Sequence, residues 1–93
     1  MSIGMKKCEH LQSLELIEPP EYVCRKCIEM GDTWVHLRVC QTCGEVNCCD
    51  SSKNRHATQH FRQTHHPVVA SAEPGEAWVY CYQDQIILPT AVL

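Results

Sequence analysis

"CCDSSKNRHATQH", Cys48 to His60, sets two adjacent thiols a short step before two imidazoles, with Asp50 directly behind the cysteines. On a helix His56 and His60 are four apart and share a face. Upstream stand C24-x2-C27 and C40-x2-C43, the second leading through four residues to Cys48; downstream, after five intervening residues from His60, stands His66. One CxxC is a weak signal, because it also serves redox chemistry. Two such pairs, a further Cys and three His make eight potential donors, enough for two closed tetrahedral sites. A donor set of sulfur and imidazole favours zinc over the oxygen-seeking ions. Spacing alone leaves open which cysteine pair joins which histidine.

The remainder of the chain explains why an ion is needed. Ninety-three residues make one domain, with a single Phe and three Tyr and no long periodic apolar runs. A chain this short buries a small fraction of its surface and often needs a staple. The eight cysteines are either a disulfide framework or metal ligands. "MSIGMKKCEHLQSLELIEPP" has no apolar run followed by a small-residue cleavage site, so a secretory leader is not expected. Nor does any apolar run approach the ~20 residues of a membrane span. The expectation is a cytoplasmic protein, probing no membrane, whose thiols stay reduced and bind metal. Net charge is −3 and the basic residues are dispersed, which argues against nucleic acid as partner.

The coarse pattern predicts an α+β fold: a small twisted antiparallel sheet with one main helix over about 53–64 and room for a second short one. "EPPE", residues 18–21, separates an N-terminal arm from the first Cys pair, and Gly31-Asp32 reads as a turn between strands. "TWVHLRVC", Thr33 to Cys40, alternates, with Trp34, His36 and Arg38 on one side and Val35, Leu37 and Val39 on the other. Ser51, Ser52 or Asn54 can N-cap the helix, and Pro67 stops it. Ala57 and Phe61 pack its neighbouring face on the sheet. Further strands are predicted at 67–71, 77–82 and 85–88, the first two joined through Pro74-Gly75.

The run from Cys24 to Pro67, with Trp34, "CQTCGEVNC", "HATQH" and "HHP", resembles the UBP-type zinc finger, the ubiquitin-tail-binding module of some deubiquitinases and of a cytoplasmic deacetylase. It is still more similar to the short bacterial members that stand alone, which carry a "CCDSS…RHA…H" run and a "PGE.W" turn. The likeness spans nearly the whole chain. It implies interleaved sites, Cys24, Cys27, Cys48 and His56 in one and Cys40, Cys43, His60 and His66 in the other. Multi-zinc relatives add a third from an N-terminal C-x-H and a C-terminal Cys pair. Here Cys8, His10 and Cys81 match, and Asp84 stands where it can supply the missing donor. Residues 1–93 are then one domain, the arm over 1–20 contributing to that third site.

The leftover residues have plainer readings. Cys49 is expected as a half-buried free thiol, and His36 and His65 as surface or strand histidines. In ubiquitin-binding relatives a pocket beside the zinc takes a free C-terminal tail, held by an arginine after "C-G" and walled by aromatics. The resemblance puts Trp34 on one wall and Trp78, Tyr80 and Tyr82 on others. Asp50 stands where the arginine would be, which replaces a charge-assisted partner by like-charge repulsion toward a carboxylate. Asp50 either suits a cationic ligand beside aromatic walls or caps the turn or helix that follows. The expected function is therefore a monomeric, non-catalytic zinc module that docks a protein or peptide, using an apolar patch around Trp78 and the tail "IILPTAVL" at 86–93.

Overall fold

The computed structural model describes residues 8–12 and 14–93. The first seven residues of the predicted arm, and Ser13 within it, lie outside them. Five strands form one antiparallel sheet in the order β2-β1-β3-β4-β5: β1 Leu37–Cys40, β2 Val46–Cys48, β3 Val68–Ser71, β4 Trp78–Cys81 and β5 Ile86–Pro89. Two helices, α1 Arg25–Met30 and α2 His56–Thr64, and a final 3-10 turn, Thr90–Val92, complete the described elements.

Register divides the sheet into two faces. Leu37 sits opposite Cys48, Val39 opposite Val46 and Ala70, Val68 opposite Cys81, and Val79 opposite Leu88. These residues share one face and are the core, onto which Leu11, Leu14, Ile17 and the cysteines of α1 pack. Side chains alternate along a strand, so Arg38, Val69, Trp78, Tyr80 and Ile87 share the other face. Helix α2 lies beside β2 and β1. The arm is fixed by Gln41, which accepts the Ile17 N–H at 2.7 Å and donates to the Ile17 carbonyl at 3.0 Å.

The α+β class, the main helix and the three later strands are as the sequence predicts, and three local expectations need correction. Gly31-Asp32 joins no strands: Gly31, at φ 74°, ends α1, with its N–H on Ile28 and that of Asp32 on Cys27. The alternation from Thr33 starts too early. Val35 is 54% exposed, its N–H donates to Ser52 Oγ at 2.8 Å, and the His36 carbonyl accepts from Cys49. Residues before Leu37 are thus tied to the 49–52 loop and not to the sheet. Helix α2 begins at His56 behind Arg55, which holds a left-handed φ of 48° and makes no side-chain cap. Ser52 is spent on Val35, and Asn54 donates to Asp32. Ala57 is buried as predicted, whereas Phe61 is half-buried and stacks on Tyr82, with centroids 4.9 Å apart. The strand β2 follows Gly44 in a stretch that reads in sequence only as a turn; at φ 80° Gly44 reverses the chain between β1 and β2.

Candidate metal centres and the pocket beside them

The CxxC at Cys24 sits on the first turn of α1, where residues three apart face the same way. Strand β2 brings Cys48 toward them, and α2 opens with His56. The His56 Nδ1 lies 3.3, 3.4 and 3.5 Å from the sulfurs of Cys24, Cys27 and Cys48, and Cys27 and Cys48 are 3.8 Å apart. A tetrahedral zinc with ordinary bond lengths sets sulfur–sulfur edges of ~3.8 Å and sulfur–nitrogen edges of ~3.6 Å. All four residues are buried. Burial, and then the neighbouring sulfurs Cys24 and Cys27, push the Cys48 thiol up to about 12. The thiolate that ligates metal is therefore costly here unless a cation shares the site. Two N–H groups aim at the same sulfurs, from His56 to Cys48 and from Asn54 to Cys27.

One turn further along α2, His60 faces the second CxxC. Its Nε2 is 3.4 Å from Cys43 Sγ and 3.3 Å from His66 Nδ1, which is 3.6 Å from Cys40 Sγ. The nitrogen–nitrogen edge of a zinc tetrahedron is ~3.3 Å. The other ring nitrogen of His60 lies 2.9 Å from Glu45 Oε2. Glu45 is braced in turn by Lys26 and Asn47. A carboxylate behind a ligating imidazole fixes its tautomer and raises its basicity. Burial lowers the His60 pKa, which favours the neutral, metal-binding ring.

The third cluster joins the arm to the β4–β5 end of the sheet. Cys8, His10, Cys81 and Asp84 have donor atoms within 4.8 Å of one another. His10 Nδ1 is 3.6 Å from Cys8, 3.5 Å from Cys81 and 3.2 Å from Asp84. Asp84 Oδ2 spans a wider range, 2.9 Å from Cys8 and 3.9 Å from Cys81. The side chains of His10 and Asp84 are 35% and 38% exposed, in contrast to the sealed first cluster. All three clusters have the donor chemistry and the spacing to hold zinc.

Among the predicted pocket residues, Asp50, Trp78, Tyr80 and Tyr82 come together around a cavity of about 200 Å³. Trp34 does not reach it and packs half-buried against the core. The place on β1 is taken by Arg38, whose guanidinium lies 4.5 Å from the Trp78 ring centroid. Arg38 is a residue the sequence left among dispersed surface charges. The usable signal was its phase on the strand, opposite buried Leu37 and Val39. Asp50 caps no backbone N–H of α2 and accepts instead from the Thr58 hydroxyl. Tyr82 stands between Phe61 and Tyr80, edge to face with the latter at 5.1 Å. Cys49 also lines the cavity and is more enclosed than expected, 4% exposed. Burial would raise its thiol, but the Ser52 hydroxyl, nearby N–H groups and Arg38 together bring it down to about 7.

A protein family described as "Zn-finger in ubiquitin-hydrolases and other protein" matches residues 24–90, which include the first two clusters entire. The chain belongs to this family. Ubiquitin carboxyl-terminal hydrolase 44 of Danio rerio is 32% identical over 84 residues, 84% of this chain and 11% of that protein. The NAD-dependent deacetylase sir2A of Dictyostelium discoideum is 37% identical over 57 residues, 61% of this chain and 10% of that protein. This zinc-finger domain thus spans about a tenth of the length of those curated relatives. The solution structure of protein RPA1320 from Rhodopseudomonas palustris superposes with a TM-score of 0.81 at 39% identity, covering 95% of this chain and 86% of that one. No described helix is long and apolar enough to cross a membrane.

Proposed function

We propose that this domain is a non-catalytic binding module, held together by zinc, whose uncovered sheet face receives a peptide or protein partner. Cys24, Cys27, Cys48 and His56 hold one ion, Cys40, Cys43, His60 and His66 a second, and Cys8, His10, Cys81 and Asp84 a third. The observation that carries the reading is the set of donor spacings, which match the edges of a zinc tetrahedron in the first two clusters. With four protein donors each ion has no open position for water or substrate, so its contribution is structural. Zinc bound this way cross-links segments that a small apolar core cannot hold alone, and its binding energy becomes folding energy.

The partner face is the one bearing Trp78, Tyr80, Tyr82 and Ile87. Aromatic side chains give large contact area at low entropic cost and are favoured anchors at interfaces. Two residues of the predicted docking tail are spent elsewhere: Ile86 and Leu88 finish the core as part of β5, while Ile87 is 59% exposed beside the pocket. The domain acts as a monomer in the cytoplasm on this reading. Relatives named as ubiquitin hydrolases suggest a second one, capture of a ubiquitin tail. Asp50 opposes it at the loop, and Arg38 supplies a guanidinium from the sheet instead.

Two measurements test the proposal. Native mass spectrometry should count up to three zinc ions per chain, and Cys27→Ser should remove the first. Trp78→Ala should retain the full zinc count yet lose most capture of a partner isolated with the unaltered domain. Undiminished capture by Trp78→Ala, or a chain free of transition metal, would sink the reading.

A further inference from the structure

Arg25 pairs with Glu21, Lys26 with Glu45 and Lys53 with Asp32. Among the described residues, Arg38, Arg55 and Arg62 have no carboxylate in ion-pair contact. All three line two cavities that meet at Asp50. Arg38 lines the aromatic pocket, and Arg55 and Arg62, with Lys53, line an adjoining groove of about 330 Å³ at the start of α2. Every unpartnered cation of the described chain is therefore gathered on one surface of a protein whose net charge is −3.

The Arg38 guanidinium is the most committed of the three. It is half-buried, lies over Trp78, and donates one hydrogen bond, to the Leu37 carbonyl at 2.9 Å. A guanidinium has five N–H donors in a planar fork suited to a carboxylate. Asp50 lines both cavities, so a segment that spans them meets this carboxylate between the two groups of arginines and fits best negative on either side of it and uncharged beside it. We infer that the double cavity binds an acidic, extended segment of a partner protein, one carboxylate on Arg38 beside Trp78 and another against Arg55 and Arg62. This rests on the sheet face being the binding surface and adds the chemistry of what it binds. A nucleic-acid strand fits less well: it carries a charge at every nucleotide and cannot leave a neutral gap at Asp50.

The test uses the zinc-loaded full chain, with peptides of two glutamates separated by one to four glycines, their lysine counterparts and a single-stranded oligothymidylate. Anisotropy reads affinity, and the Trp78 indole NMR signal reads location. At least one glutamate peptide should bind and shift Trp78, more weakly as salt is raised. Arg38→Gln should weaken it about tenfold, as expected for a partly buried charged hydrogen bond. Arg62→Gln should weaken it about two- to fivefold, and Asp50→Asn should tighten it by a similar factor, as for exposed charges. Equal zinc content in each variant, by native mass spectrometry, shows that the fold is kept. Lysine peptides that bind as tightly at Trp78 overturn the acidic partner and leave the binding face standing. Tighter binding of the oligonucleotide, unchanged affinity in both arginine variants, or no peptide moving Trp78 also overturns it. The capture assay with Trp78→Ala decides the broader reading separately.

Discussion

Glu45 shows how much of a metal centre resides in residues that never touch the ion. Its carboxylate orients His60 from behind while Lys26 and Asn47 orient Glu45. Glu45→Ala should weaken zinc at the second cluster about 10–100-fold, the usual cost of losing such a support, with a smaller loss at the first cluster through the shared helix. Competition with a chromophoric chelator would measure it, and partial rescue by Glu45→Gln would assign the loss to the hydrogen bond. Gln41 is a second such residue. Its amide makes both backbone bonds to Ile17, so Gln41→Ala should cost about 1–2 kcal/mol, read as a lower denaturant midpoint of the zinc-loaded chain. Gly31 needs its left-handed φ and has open space where a Cβ would stand, so Gly31→Ala should cost about 1 kcal/mol from backbone conformation alone.

Among the elements, the short arm and the β4–β5 turn depend on each other through the third cluster. Asp84→Ala should lower the affinity of the third cluster and, at limiting zinc, leave two ions per chain, because water replaces a charged donor at a site already open to solvent. Native mass spectrometry counts the loss, and proteolysis near Leu11 should quicken as the arm lifts. How well these elements could be read from sequence follows from how local their causes are. Cysteine and histidine spacing is local, and residues 56–64 and 78–81 carry their own periodicity, so the donors and the helix were legible. The start of β1 was not, because Val35 and His36 are claimed by Ser52 and Cys49 from a distant loop. Trp34 was placed on the pocket wall by the family resemblance, and here it packs against the core while Arg38 lines the pocket. The strand β2 is only three residues long, too short for alternation to register. The N-terminus of α2 was misread because Ser52 and Asn54, good caps by type, are engaged by other partners.

For the molecule as a whole, the proposed zinc sites would make metal and fold one equilibrium. Two structural zincs at ~10 kcal/mol or more each exceed the 5–15 kcal/mol by which folded domains are usually stable. A strong chelator should therefore abolish the cooperative melting transition and the Trp78 environment together, and zinc should restore both; circular dichroism and fluorescence would follow them. A chain that stayed compact after complete demetallation would contradict this. His56 and His60 stand one turn apart on α2, each facing a different trio of donors. Loading either trio pays the entropy of ordering that turn on behalf of the other. Under scarcity the ions should then be shared unevenly, with fully charged and bare molecules coexisting and singly charged ones rare. Zinc shortage would lower the number of competent copies without producing a graded population of half-built ones.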